Sequence, residues 1–342
     1  MRPDTPDFMG ELLATGQAVE VVLRGLVTDE VPGCAFLKRA AEKATEDVGV
    51  RLIPYLVRCG YEAGGTDFER VVDAAAAVDV LKSSALVMDD VIDQSPRRNR
   101  NGSLYSQYGV ERTVCVGAWL TAAAIRLLSN NVSKLESGPL RCDPVARMAS
   151  IEQHIYVGQL MDLEMEGDVT VGEERYLDMI RCTTASVIQG ALVIGGMLWN
   201  APRELIKKLE QIGDCLGMAY QLRDDVVDVT GDPALTGKER NADIRRRKMR
   251  LPLVHALQNG NPRETAAIRQ RLQERRPLAD EEVAQVVALV AKEEGVEHTV
   301  RKAEAYCAQA RQVITTLEES YGRLGSRLAC VVDLLGTFDA KT

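Results

Sequence analysis

The stretch SSALVMDDVIDQ, Ser83 to Gln94, decides how the rest of the chain is read. Positions i and i+4 share one face of a helix, so Asp89 and Asp93 point the same way and Asp90 lies beside them. A second stretch, AYQLRDDVVDV from Ala219 to Val229, repeats the spacing with Asp224, Asp225 and Asp228. One such cluster alone reads as a solvated acidic face. Both, however, are set in apolar sequence, Ala85 to Ile92 and Val226 to Val229. Like charges at i,i+4 repel by ~0.2–0.5 kcal/mol even when exposed, and by more when buried. A positive partner is therefore required, and clustered carboxylate oxygens suit Mg²⁺, which shares its octahedral shell with substrate phosphates.

Working outward, each cluster is followed by cations: Arg97, Arg98 and Arg100 after the first, Lys238 and Arg245 to Lys248 after the second. Carboxylates, metal and basic loop together form the construction that grips a diphosphate, because guanidinium and ammonium groups complete the neutralisation a metal begins. The flanking sequence is helical in character. Val72, Ala75, Ala76 and Val80 recur at three- and four-residue spacing, as do Val283, Val286, Val287 and Val290. Residues 145–201 and 203–232 contain no proline, and none follows Pro277, whereas Pro54, Pro96, Pro202 and Pro252 mark breaks. The spacing predicts an all-α protein of roughly ten or more helices, with loops near 30–34, 94–103, 136–144, 229–242 and 259–264.

The chain has 342 residues, beyond the usual single-domain size, yet no flexible linker or solenoid repeat divides it, so one helical domain over 1–342 is expected. At 46% hydrophobic and 27% charged it is an ordinary globular composition, which excludes disordered and collagenous classes. A net charge of −8 and 4% aromatics argue against a nucleic-acid partner, which needs a basic surplus and stacking platforms. The eight cysteines form no CxxC pair, which excludes a zinc knuckle or thioredoxin-type site and suits free thiols in a reducing cytoplasm. The polar start MRPDTPDF shows no secretory signal. The uncharged run from Cys182 to Pro202 is long enough to span a bilayer, but its Thr183, Thr184, Ser186, Gln189 and three glycines read better as a buried helix than as a transmembrane segment. His154, His255 and His298 have no sequence partner and receive no catalytic role.

With these residues in view, the sequence resembles the trans-isoprenyl diphosphate synthase (polyprenyl synthetase) family, most strongly over residues 48–257. Asp89-Asp90-Val91-Ile92-Asp93 and Asp224-Asp225-Val226-Val227-Asp228 match its two aspartate-rich motifs. Gly158-Gln159-Leu160-Met161-Asp162 resembles its GQxxD helix, and Tyr220-Gln221 stands where it has Phe-Gln. Gly237-Lys238, Asp243, Lys248 and Leu251-Pro252-Leu253 resemble its GK…D…GK…PL segment. The resemblance implies helices around a deep central cavity, and Mg²⁺, three ions with bound diphosphate, held by the six aspartates. It also implies ionisation of an allylic diphosphate, attack by the double bond of isopentenyl diphosphate, and a homodimer. Arg97, Arg98, Lys238, Lys248, Gln221, Thr184, Gln159, Lys82 and Arg51 are then the candidates for binding the diphosphates.

Departures fall on the acceptor side. Where the family has GGKxxRP, this chain has Val48-Gly49-Val50-Arg51-Leu52-Ile53-Pro54, so two cations become Val50 and Ile53. The family's Lys-Thr pair is Thr183-Thr184, its RRG is Arg97-Arg98-Asn99, one residue nearer Asp93, and Lys82 stands at a phosphate-contacting histidine position. Two uncompensated charge-assisted bonds amount to roughly two to four decades of affinity. Three readings stay open: an elongating synthase with Arg51, Lys82 and Arg98 compensating; a cyclase or a prenyltransferase to another acceptor; and a silent partner subunit. For chain length, Ala85, Ser84 and Leu81 lie four, five and eight residues before Asp89, one to two turns below it. The small upper pair is expected to admit a C20 chain, with Leu81 as the lower limit.

Overall fold

Prolines and capping side chains cut this chain into helices largely where the sequence places them. The structure, a computed structural model, describes residues 7–26, 35–46, 51–65, 67–98, 101–135, 140–232, 240–317 and 320–336. Val50 and Lys238, two residues singled out above, lie outside the described residues. Among the described residues the strands are Arg97–Arg98 and Asn101–Gly102, paired antiparallel, and nearly everything else regular is helix. The all-α expectation holds. Pro144 opens a helix, Pro252 and Pro262 sit in first turns, and Pro54 falls inside the first turn of its helix, where a missing N–H costs nothing.

By contacts the chain divides into two compact units. The first comprises Met1–Gln153, Val187–Asp214 and Arg311–Val331. It holds α1 (Phe8–Arg24), α2 (Ala35–Thr45), α3 (Leu52–Glu62), α4 (Val72–Ile92), α5 (Leu104–Lys134), the first part of α6 (Pro144–Met165) and nearly all of α8 (Ser186–Leu198). Its core helix is α4, whose Ala74 to Ala77 are all fully buried. Small residues let backbones approach. A Cβ on Gly60 of α3 would lie 2.2 Å from the Leu192 carbonyl of α8, and one on Gly195 would lie 2.2 Å from that of Val57. Val187, Ile188 and Gly190 to Leu198 are buried, so the apolar run read as a core helix is one. Helix α5 is also long and apolar enough to cross a bilayer by length and composition, a second candidate that the sequence reading did not single out. Arg327, almost fully buried, ties this unit's helices together through Glu11, at 2.7 and 2.8 Å, and Glu62, at 2.5 Å.

The second unit comprises His154–Ser186, Cys215–Ala310 and Val332–Thr342. It holds α7 (Glu173–Ile180), a π-helical turn over Arg181–Ala185, the end of α9 (Arg203–Thr230), α10 (Ala242–Arg245), α11 (Leu251–Asn259), α12 (Pro262–Gln273), α13 (Asp280–Lys292) and most of α14 (Gly295–Thr315). Helix α15 (Gly322–Gly336) gives residues to both units. Tyr176, Met218, Leu222, Leu251 and Val254 lie in the core of the second unit. The loop expected over 259–264 is shorter than predicted, because Asn261 caps α12 and brings its start to Pro262.

Candidate active site

In the first unit the acidic cluster closes α4. Asp89 and Asp90 lie in its last turn and Asp93 is its C-cap, with the Asp93 N–H donating to the Asp89 carbonyl at 2.8 Å. The chain then turns at Gln94 (φ +50°), and Ser95 N donates to Asp90 O at 2.9 Å. The short hairpin follows, latched by Ser103 Oγ donating to Ser95 O at 2.6 Å. This fold-back returns Arg98 to the helix end. Its Nε and Nη2 donate to Asp90 Oδ1 at 3.1 and 2.7 Å, and Nη2 also donates to Asp89 Oδ2 at 3.0 Å. Burial disfavours the guanidinium charge, yet the two carboxylates outweigh it and hold the Arg98 pKa above its usual value. The positive partner that the clustered carboxylates demand is thus present, and it comes from the chain itself. Arg97 faces solvent.

Two more cations of the expected set converge elsewhere in this unit. Arg51 Nη1 donates to Asp79 Oδ2, Arg51 Nη2 donates to Thr45 O at 2.9 Å, and Lys82 Nζ lies 3.3 Å from Asp79 Oδ1. The Asp79 side chain is 1% exposed, against 10% for Arg51 and 27% for Lys82. One buried carboxylate therefore holds two cations. Ile53 is buried. Of the small residues under Asp89, Ser84 is fully buried, its Oγ 2.8 Å from both Gly117 O and Thr121 Oγ1 of α5. Leu81 is also fully buried, and Ala85 keeps partial exposure.

In the second unit the acidic cluster lies near the C-terminus of α9. Asp225 is 1% exposed. It accepts a short hydrogen bond from the Tyr176 hydroxyl and another from Gln221 Nε2 at 3.1 Å. Gln221 Oε1 in turn accepts from Thr184 Oγ1 at 2.7 Å, within the π-helical turn. Burial pushes the Asp225 carboxyl up to about 7, against the lowering influence of Arg250, Tyr176 and Gln221. Asp224 stays half-buried and Asp228 is largely buried. The expected Thr184 and Gln221 are thus brought to the cluster, and Tyr176, which the sequence reading missed, completes the chain.

Lys248 lies in a buried ion-pair network. Its side chain is 1% exposed, and Nζ donates to Asp162 Oδ2 at 2.7 Å. Arg250 Nη1 donates to Asp162 Oδ1 at 2.7 Å, and Arg250 Nε donates to Asp243 Oδ2 at 3.0 Å. In this structure the buried ammonium is paired with a buried carboxylate. Gln159, one turn before Asp162, is half-buried. His255 and His298, without sequence partners, stack with ring centroids 3.9 Å apart, and His298 Nε2 lies 2.8 Å from Glu173 Oε2.

Among the described residues no three His, Cys, Asp or Glu side chains converge as a metal-holding group. The donor set nevertheless fits Mg²⁺: every candidate ligand is a carboxylate oxygen, and the first pair already holds a cation. The polyprenyl synthetase family matches residues 34–290, three quarters of the chain, including both clusters. This chain belongs to the polyprenyl synthetase family. Its relatives include a short chain isoprenyl diphosphate synthase of Methanocaldococcus jannaschii, 30% identical over 61% of this chain and 62% of that protein, so that match spans less than two thirds of the relative. A geranylgeranyl pyrophosphate synthase of Geoglobus acetivorans is 26% identical over 84% of this chain and 86% of that one. Among solved structures, a polyprenyl synthetase from Streptomyces coelicolor superposes with a TM-score of 0.85 at 25% identity, covering 97% of this chain and all of the other.

As a polyprenyl synthetase, the chain keeps the aspartate motifs and changes what surrounds them. The partners that sequence missed are Asp79, Tyr176 and Arg250. Asp79 carried a signal, being one of very few ionisable residues in the apolar segment 71–88 and three positions before Lys82. Tyr176 carried none, because it lies 49 residues from Asp225.

Proposed function

We propose that this polyprenyl synthetase is a Mg²⁺-dependent prenyltransferase that ionises an allylic diphosphate and condenses it with isopentenyl diphosphate to a longer trans-prenyl diphosphate of C20 type. One observation carries the reading: Asp89 and Asp90, at the end of an apolar helix, hold a cation in hydrogen bonds of 2.7–3.1 Å. The names of the relatives, short chain isoprenyl and geranylgeranyl diphosphate synthases, support elongation over cyclisation or a silent subunit.

Each cluster would hold metal, Asp89, Asp90 and Asp93 in the first and Asp224, Asp225 and Asp228 in the second, three ions in all with bound diphosphate. Bound there, the metal supplies the Lewis acidity that stabilises the departing diphosphate. Members of both clusters also make bonds within the chain. Asp90 orients Arg98, and Asp225, fixed by Tyr176 and Gln221, sets the end of α9. Arg98 contributes a guanidinium whose fork matches phosphate oxygens. Arg51 and Lys82, gathered by Asp79, are with Arg98 the cations that would compensate for those replaced by Val50 and Ile53. The single-domain organisation belongs to this proposal, supported by a family match that runs unbroken through residues of both units. So do a cytoplasmic location, consistent with the free thiols of Cys59, Cys215 and Cys307, and a homodimer, for which the exposed Val157, Leu160 and Leu163 of α6 supply apolar surface.

The test is turnover with Mg²⁺ and each allylic diphosphate, with and without isopentenyl diphosphate. Longer products are expected only with both substrates. EDTA, Asp89→Ala and Asp224→Ala should each cut turnover by orders of magnitude with helicity unchanged. Arg51→Ala or Lys82→Ala should raise the KM for isopentenyl diphosphate more than that for the allylic substrate. Pyrophosphate release from an allylic substrate alone, with no elongation at any acceptor concentration, would replace this reading with cyclisation or another acceptor.

A further inference from the structure

We propose that Arg98 is an internal counterion that competes with the metal for Asp89 and Asp90, weakens metal binding by the free enzyme, and is handed to the diphosphate when both arrive. The proposal rests on the reading of this cluster as the metal site and adds an order of events to it.

The geometry supplies the competition. Arg98 reaches both carboxylates with two of its nitrogens, and its Nη2 is shared between Asp89 Oδ2 and Asp90 Oδ1. Bonds from a guanidinium to carboxylates are charge-assisted and among the stronger ones available. An ion that binds these oxygens must first displace them from Arg98. By linkage, the factor by which Arg98 weakens metal binding is the factor by which bound metal weakens the hold on Arg98. The backbone needs no rearrangement for this exchange. The hairpin is fixed by the pairing of Arg97 with Gly102 and of Arg98 with Asn101, and by the latch from Ser103 to Ser95, so only the side chain has to swing. Its side chain is 32% exposed, which leaves it a path out. Once released, the guanidinium sits beside a site that has gained a dication, and a polyanion is the partner that relieves both. The metal and the diphosphate should therefore bind with positive coupling, larger with Arg98 than without it. A residue that only anchored the hairpin would produce no such coupling.

The probe is Mn²⁺ binding to the purified chain, followed by loss of the free-ion electron paramagnetic resonance signal, with and without inorganic pyrophosphate. Without pyrophosphate, Arg98→Gln is expected to bind Mn²⁺ about tenfold or more tightly than the native chain, because hydrogen bonds to a charged group are worth roughly ten- to hundredfold. With saturating pyrophosphate the advantage should vanish or reverse, and pyrophosphate itself should bind the variant more weakly. Arg98→Lys, a point charge without the fork, should fall between the two. Mn²⁺ affinity in Arg98→Gln equal to or weaker than native, in protein of unchanged helicity, would overturn the proposal. Asp89→Asn in the Arg98→Gln background separates the two levels of argument. If it removes the Mn²⁺ binding while Arg98→Gln alone changes nothing, the metal site stands and only the counterion role falls. If Mn²⁺ binding ignores Asp89→Asn, the metal-site reading fails as well.

Discussion

Replacing Asp162 with asparagine tests how much of the second unit hangs on one buried charge. The Asp162 side chain is 5% exposed and accepts from Lys248 Nζ through Oδ2 and from Arg250 Nη1 through Oδ1, both at 2.7 Å. Asparagine keeps the shape but turns one terminus into an NH₂ that faces a donor. Both charge-assisted bonds, ~1.5–3 kcal/mol each, are weakened, and a buried ammonium and a half-buried guanidinium lose their shared carboxylate, the guanidinium keeping Asp243. Removing one partner of a buried ion pair costs ~3–5 kcal/mol, and that is the expected destabilisation. Urea unfolding followed by circular dichroism reads it, and Lys248→Met closes a double-mutant cycle. The pair should be less destabilised than the sum of the singles by ~1–3 kcal/mol, because each single change strands the other partner. pH gives an independent check. Burial raises the Asp162 pKa, but Arg250 and Lys248 outweigh it and hold the carboxyl below its usual value. Its stabilisation is therefore present above the unfolded value, ~3.9, and is lost as pH falls through the lower folded one. The native chain and the Asp162→Asn variant should converge in stability in strong acid. An Asp162→Asn variant within about 1 kcal/mol of native, or strict additivity with Lys248→Met, would refute the buried network as a determinant of stability.

Two further outcomes follow from the first unit. Ala85→Phe should shift products towards shorter chains, whereas Ser84→Phe should lower stability by ~1–3 kcal/mol, since an aromatic ring there displaces the contacts of Ser84 with Gly117 and Thr121. Product chromatography and thermal unfolding of the two variants separate these effects, and unchanged product length in a folded Ala85→Phe chain would remove Ala85 from the pocket. The Glu11 carboxyl is opposed by burial but lowered to about 2 by Arg327 and Arg323. Its stabilisation is present above ~4.3 and fades as pH falls towards the folded value, so Glu11→Gln should flatten acid unfolding over that window. An acid profile identical to native in that variant would show that the Arg327 cluster does not set acid stability.

What the sequence could and could not convey divides along one line. Facts about neighbours on a helix were legible: that Asp89 and Asp93 share a face, that Pro202 and Pro252 mark breaks, that the run from Cys182 to Pro202 holds a core helix. They depend only on a fixed 3.6-residue period and on what proline forbids. Facts about facing were not. Ser84 and Ala85 both lie about one turn below Asp89, but adjacent residues point about 100° apart, and only the position of α5 reveals that Ser84 bonds to it. Lys248 and Arg250, two residues apart after a turn with Arg247 at φ +61°, converge on the same Asp162. The largest consequence concerns charge. Sequence counts cations as though each were available to a phosphate, and on that count the loss at Val50 and Ile53 reads as roughly two to four decades of affinity. In the fold, Arg51 and Lys82 already hold Asp79, Arg98 holds Asp89 and Asp90, and Lys248 holds Asp162. A diphosphate gains from a paired cation only the difference between the new bonds and the old ones. Its affinity is therefore set less by how many basic residues remain than by how readily each carboxylate lets go. If a metal binds the first cluster as proposed, it takes Arg98's place at Asp89 and Asp90 and frees the guanidinium for a diphosphate, so Arg98 is the cation of this set whose carboxylates are offered a substitute.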